Sequence, residues 1–241
     1  MRRNMRMMVT WIGILVALSA LLSSCMSAGA ANLHEFSEAP LFGMIYDQDN
    51  RPVANVKLQV DGKPVAESDL NGRFLIPRLA RGDHKVVATK PEFETLRIDL
   101  NFSNETQVLY LQMFSQSQLL AMAETRITQR NWQQARTLLE RAGKIDRRDP
   151  VYRYVVAILD YRTGNPTQAA SDLSQLLASG VEDPSVDLFL ADIYQYSLKM
   201  PQKAIPYLKE YLAQKGDDAV SRRLSAIESQ TAKPDPAEAK K

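Results

Sequence analysis

Gln134-Ala135-Arg136-Thr137-Leu138-Leu139, Gln168-Ala169-Ala170-Ser171-Asp172-Leu173 and Lys203-Ala204-Ile205-Pro206-Tyr207-Leu208 are three versions of one pattern, a small residue followed four positions later by leucine. They recur at spacings of 34 and 35 residues, and each continues three positions on to Ala142, Leu176 or Tyr211. Positions four and seven apart share one face of a helix, so the segments are amphipathic helices. A self-similar period of this length marks stacked helix pairs. Ala135, Ala169 and Ala204 leave room for a partner helix to lie close, and the spacing predicts those partners near 116–129, 150–162 and 184–198. Asn131, Gly164-Asn165 and Met200-Pro201 are the turns within pairs. Asp149-Pro150 and Asp183-Pro184 put proline at helix starts, where its missing N–H costs nothing.

Residues 115–230 therefore resemble about three tetratricopeptide repeats with a capping helix over 218–229. The small residue usual in the first helix of each pair is present as Ala123, Ala157 and Ala191. The bulky residue four positions earlier is Leu119 in the first repeat, but Arg153 and Asp187 in the others. The resemblance implies a curved stack whose first helices line a peptide-binding groove. On the family register that groove is faced by Glu124, Ile127, Tyr154, Ile158, Tyr161, Arg162, Leu188, Asp192, Gln195 and Tyr196. Val151, Tyr154, Ile158 and Tyr161 form an apolar stripe opposite a core stripe at Tyr152, Val155, Val156 and Leu159, and a helix apolar on two faces must bury both or offer one. A groove role, or packing against a neighbouring repeat or the preceding module, suits Tyr154 and Tyr161 equally well, and both readings stand at this point. Tyr152 and Tyr194 read as core.

Upstream, residues 40–113 change period from 3.6 to two. Phe42, Met44 and Tyr46 alternate with Gly43, Ile45 and Asp47, and Val56, Leu58 and Val60 with Lys57 and Gln59. Further strands are expected over 73–76, 84–89, 96–100 and 107–111, separated by turns at Asp61-Gly62, Asn71-Gly72, Arg81-Gly82 and Ser103-Asn104. About seven short strands indicate a small antiparallel sandwich. Gly43-x-Ile45-x-Asp47, Pro52-Val53-Ala54-x-Val56-x-Leu58, Asp69-x-Asn71-Gly72-x-Phe74-x-Ile76 and Leu79-x-x-Gly82-x-His84-x-Val86-x-Ala88 resemble the carboxypeptidase regulatory-like domain, a transthyretin-like sandwich. The resemblance implies a scaffold: glycines at corners, Asp69 accepting turn amides, Phe74 between the sheets. The zinc peptidases that carry such domains need an H-x-x-E pair and a distant histidine, and the sequence contains no such pair. His84 reads as a half-exposed strand residue. Asp47-Gln48-Asp49-Asn50 starts like a calcium loop but lacks the glycine at six and glutamate at twelve.

Residues 1–24 have the layout of an export signal: Arg2, Arg3 and Arg6, then an apolar run from Met7 to Leu22, then small residues. Leu22-Ser23-Ser24-Cys25 resembles the lipobox of bacterial lipoproteins, which implies cleavage before Cys25 and acyl chains on its sulfur and new amino group. Several acyl chains, at about 0.8 kcal/mol per buried CH₂, make such an anchor permanent. Ala28-Gly29-Ala30 offers the alternative of ordinary cleavage and release. Residues 25–39 read as the acylated N-terminus and a tether, and 231–241 as a disordered tail. Met26, in place of the aspartate that retains enterobacterial lipoproteins in the inner membrane, points to the outer membrane, facing the periplasm.

The chain of 241 residues has 30 basic and 28 acidic side chains, for a net charge of +2. The three leader arginines account for that sign, so nothing in the charge argues for a nucleic-acid partner. Two histidines and one cysteine are too few for a zinc site or a thiol nucleophile. The expectation is a two-domain chain, all-β then all-α, with no catalytic or metal residues and no cofactor. It acts as a lipid-anchored envelope adaptor that holds another envelope protein. The alternative is a lipoprotein that captures a small molecule, peptide or glycan in a pocket lined by Tyr154, Tyr161 and Tyr196.

Overall fold

The computed structural model describes residues 36–231. The leader, Cys25 and its lipidation, most of the tether, and the tail from residue 232 lie outside the described residues. An N-terminal β region of two small sheets is followed by seven helices arranged as a tetratricopeptide-like array.

The strands are β1 (Glu38–Tyr46), β2 (Lys57–Val60), β3 (Lys63–Glu67), β4 (Arg73–Ala80), β5 (Gly82–Thr89), β6 (Leu96–Phe102) and β7 (Val108–Gln112). One sheet has the order β4-β1-β7 and the other β3-β2-β5-β6. The sandwich is not wholly antiparallel, because β7 runs parallel to β1. The tether is also shorter than expected: β1 begins at Glu38, Ala39 is buried, and Phe36 packs edge-on against Phe102 with ring centroids 5.2 Å apart. Strand β3 carries Pro64 and has no clear alternation. It lies at a sheet edge, where a missing ladder donor is tolerated. Asp61 and Gly62 both have positive φ, 51° and 79°, as a two-residue hairpin of the primed type requires.

The inward face of β1 is the opposite of the one the alternation suggests. Leu41, Gly43 and Ile45 point into the core, while Phe42 is 54% exposed. Gly43 decides this, because the Phe74 ring lies over it. A Cβ there would collide with that ring and sit 2.5 Å from the Leu109 carbonyl oxygen.

His84 is less exposed than a half-solvated strand residue, with 12% of its side chain accessible. Nδ1 lies 2.7 Å from Asp61 Oδ2 and Nε2 2.8 Å from the Ala80 carbonyl oxygen. Both neighbours are acceptors, so the arrangement suits the doubly protonated ring. Burial opposes that charge, but the hydrogen bonds to Asp61 and Ala80 outweigh it and hold the His84 pKa above its ordinary value. A raised folded pKa means that the stabilisation is complete below the unfolded value and is lost as pH rises through the folded one. The Tm difference between wild type and His84→Gln should be largest near pH ~5 and shrink above pH ~7. A difference that stays constant across that range would contradict the ionic reading of this corner.

The helices are α1 (Gln116–Thr128), α2 (Trp132–Ala142), α3 (Pro150–Arg162), α4 (Pro166–Ala178), α5 (Pro184–Asp192, continued as a π-helical turn over Ile193–Ser197), α6 (Pro201–Gln214) and α7 (Asp218–Thr231). Ala123, Ala135, Ala157, Ala169, Ala191 and Ala204 are all fully buried at the helix crossings. The separation from first-helix to second-helix alanine is 12 residues in the first two repeats and 13 in the third. The extra residue falls between Ala191 and Ala204, where the π turn lies. A π turn absorbs one surplus residue and rotates the chain beyond it by about 100°.

The two regions meet at a built seam. The loop between β5 and β6 supplies it: the Gln116 amide donates to the Glu92 carbonyl at 2.8 Å, and the Glu94 amide to the Phe114 carbonyl at 2.9 Å. Arg141 of α2 donates from Nη2 to both Glu94 carboxylate oxygens, at 3.1 Å to Oε1 and 2.5 Å to Oε2, with Nε within 3.2 Å of both, and its guanidinium lies 4.7 Å from the Phe114 ring centroid. Both side chains are largely shielded, so this pair is worth more than a surface one. Ser115 and Gln118 form a capping box at the start of α1. The Gln118 side-chain nitrogen also donates to Asp47 and Asp49, at 3.0 and 3.2 Å, so the turn that begins like a calcium loop is engaged by the helix region.

Candidate functional site: the concave face of the helical array

The groove expected from the repeat pattern would be faced by the first helix of each pair, and of those helices α1 and α3 line a common hollow. Glu124, Ile127, Ile158 and Arg162 converge on a concavity of about 300 Å³, together with Thr128, Arg130 and Trp132. Ile127 forms its buried floor, while Glu124 and Arg162 are exposed on its rim. Helix α1 turns this face outward because Leu119, Leu120 and Ala123 form the core-facing stripe.

Tyr154 and Tyr161 belong to the contact between repeats. Both meet Phe189 of α5 edge-on, with ring centroids 6.1 and 5.3 Å apart, and Ser197 Oγ donates to the Tyr161 hydroxyl at 3.3 Å. Burial pushes the Tyr154 hydroxyl pKa upward, an effect offset in part by a hydrogen bond with Ser185. Of the two readings left open by the sequence, the structure supports packing against the neighbouring repeat.

In the third repeat the expected groove residues are engaged by the chain's own last helix. Leu188 packs into a cluster with Val220 and Ile227 of α7. Arg223 of α7 donates to Asp192 at 2.7 Å and to Gln195, and its guanidinium lies 4.9 Å from the Tyr196 ring centroid. Its Nη2 is buried without an acceptor. The tyrosines proposed to line a small-molecule pocket are thus divided, Tyr154 and Tyr161 around Phe189 and Tyr196 against Arg223. Asp187, at a position where the tetratricopeptide pattern has a bulky residue, is buried. Burial, then Glu210 and Asp183, raise its pKa above the usual carboxylate value.

Two features went unread in the sequence. A second concavity of about 600 Å³ opens at the seam, between the β5–β6 loop, α1 and the start of α3, and Glu124 lines both hollows. The outer face of the three-stranded sheet carries an apolar patch: Phe42, Leu75, Val108 and Tyr110 are all exposed, and Phe42 pairs across with Leu75 and Val108. The four-stranded sheet turns Lys57, Lys85, Arg97 and Asp99 outward instead. The signal of the apolar patch in the sequence is that β1 is apolar in both phases.

No protein-family model matches the sequence, and no curated protein matches it. Among solved structures, the chain is similar to the type III secretion translocator chaperone SycD of Yersinia enterocolitica, at 15% identity over 49% of this chain and 95% of that one, with a TM-score of 0.43. It is also similar to the first TPR domain of human RPAP3, at 15% identity over 48% and 92% of the two chains, with a TM-score of 0.42. A type II cohesin–X–dockerin complex from Acetivibrio cellulolyticus matches at 21% identity over 32% of this chain, with a TM-score of 0.29, and the match spans 58% of that chain. The helix pairs at 34- and 35-residue spacing make the C-terminal region a tetratricopeptide-like array behind an N-terminal β region of two small sheets.

Proposed function

We propose that this chain is a lipid-anchored adaptor of the bacterial cell envelope that holds a segment of another envelope protein along α1 and α3, without catalysis. The observation that carries the reading is the concavity on which Glu124, Ile127, Ile158 and Arg162 converge, an apolar floor with charged rims in an array type suited to peptide capture. The outer-membrane address rests on Leu22-Ser23-Ser24-Cys25 and Met26. The β region, with its Asp69-x-Asn71-Gly72-x-Phe74 turn, is proposed to be of the carboxypeptidase regulatory-like type and to act as a rigid spacer, fixed to the repeats by the Arg141–Glu94 fork.

Affinity capture from detergent-solubilised envelopes should recover one partner with the wild-type chain and lose it with Ile158→Glu/Arg162→Glu. Both side chains lie at the surface of the concavity, so the fold survives and circular dichroism should be unchanged. Equal recovery by the folded variant would sink the groove assignment. Cys25→Ser tests the address separately, because it should move the chain from the membrane to the soluble fraction.

A further inference from the structure

The concavity at the seam has an apolar lining and an acidic rim. Leu120, Ile145 and Val151 supply the apolar surface, and Val151 is 54% exposed. Around it stand Glu92 from the β region, Glu124 from α1, and Asp146 and Asp149 from the loop and cap before α3. No lysine or arginine lines it, and none of these four carboxylates has an ion-pair partner among the described residues. Asp146 and Asp149 each use one oxygen on a local amide, at Arg148 and Tyr152, and keep the other free. Across Glu124 the neighbouring hollow is lined instead by Arg130 and Arg162. The concave face is therefore electrostatically polar along its length, negative at the seam and positive at the far end of α1.

Resting on the groove reading above, we propose that the seam end takes a basic, aliphatic stretch of the partner segment, with lysine or arginine side chains reaching the four carboxylates and a leucine-like side chain on the apolar lining. Charge complementarity selects this occupant, since an acidic or purely apolar segment would leave the rim unpaired. From Ser117 to Thr128 the groove runs about 16 Å along α1, the span of roughly five extended residues. A short linear segment therefore reaches both hollows, and the change of sign between them fixes its direction.

The test uses the full chain and a fluorescent octapeptide of four lysines, two leucines and two alanines, with a counterpart in which glutamate replaces lysine. Fluorescence anisotropy should show the cationic peptide binding at least about tenfold more tightly than the acidic one, and binding should weaken as salt rises. Glu92→Gln/Glu124→Gln/Asp146→Asn/Asp149→Asn should lose at least about tenfold in affinity. Asparagine at 149 still caps α3, and the Glu92→Gln/Glu124→Gln pair tests the same point with both aspartates intact. No preference for the cationic peptide, or undiminished binding to the neutralised variants, overturns the inference. If neutralisation has no effect but Ile158→Glu/Arg162→Glu releases both peptide and partner, the groove reading survives without it. If neutralisation releases the peptide while Ile158→Glu/Arg162→Glu still captures the partner, the seam site stands and the groove reading falls.

Discussion

Gly72→Ala is expected to destabilise the β region by about 3 kcal/mol or more, in urea denaturation followed by far-UV circular dichroism. Two penalties combine. Gly72 has φ 73°, where an L side chain costs ~1–2 kcal/mol. A Cβ there would also lie inside van der Waals contact with the Ile45 carbonyl oxygen and 3.1 Å from the Val53 amide nitrogen, both of them backbone atoms. The protein holds its own control. Asp47-Gln48-Asp49-Asn50-Arg51 and Asp69-Leu70-Asn71-Gly72-Arg73 form the same turn: the first carboxylate accepts the amides two and four residues on, at 2.8 and 2.9 Å in one and 2.9 and 2.8 Å in the other. The fourth residue is left-handed in both, with Asn50 at φ 57°. Asparagine tolerates that conformation, so Asn50→Gly should change stability by only about a few tenths of a kcal/mol, whereas Gly72→Asn should be nearly as damaging as Gly72→Ala. If Gly72→Asn is tolerated, the collision with Ile45 is not the main cost.

That pair of turns shows where the sequence was readable. Local chemistry announced itself: the Asx turns, the Asp61-Gly62 hairpin, the proline-started helices and the 34-residue period all arise from the reach of a few neighbouring residues. Choices made by distant packing did not. In β1 both phases of the alternation are apolar, and a one-residue slip exchanges core for surface, so only the Phe74 ring over Gly43 decides between them. The candidate site divides the same way. The family register brings Glu124, Ile127, Ile158 and Arg162 together, because the first two repeats keep a regular period. It fails as a groove assignment in the third, where the surplus residue is taken up by the π turn and Arg223 of α7 engages Asp192, Gln195 and Tyr196. The seam was illegible for a different reason, since Glu92 is brought to Glu124 by a docking of two regions that no periodicity encodes.

Phe189→Ala should cost about 3 kcal/mol and separate the second repeat from the third. The half-buried ring is the only element of α5 that meets both Tyr154 and Tyr161 edge-on among the described aromatic contacts. Truncating a fully buried phenylalanine costs ~3–5 kcal/mol, and partial exposure moves the value to the lower end. In a stack held by nearest-neighbour interfaces, the loss is local. Hydrogen exchange should show α5, α6 and α7 losing protection together, while α1, α2 and the β region, joined by the Arg141–Glu94 fork, keep theirs. Tyr154→Ala/Tyr161→Ala should reproduce that pattern, because it removes the other half of the same contacts. Loss of partner capture in that tyrosine variant would then report a loosened array, and only surface changes such as Ile158→Glu/Arg162→Glu distinguish a binding residue from one that keeps the repeats in register. Uniform loss of protection across all seven helices would mean instead that the array unfolds as one unit, and that the rings between α3 and α5 hold no separable interface.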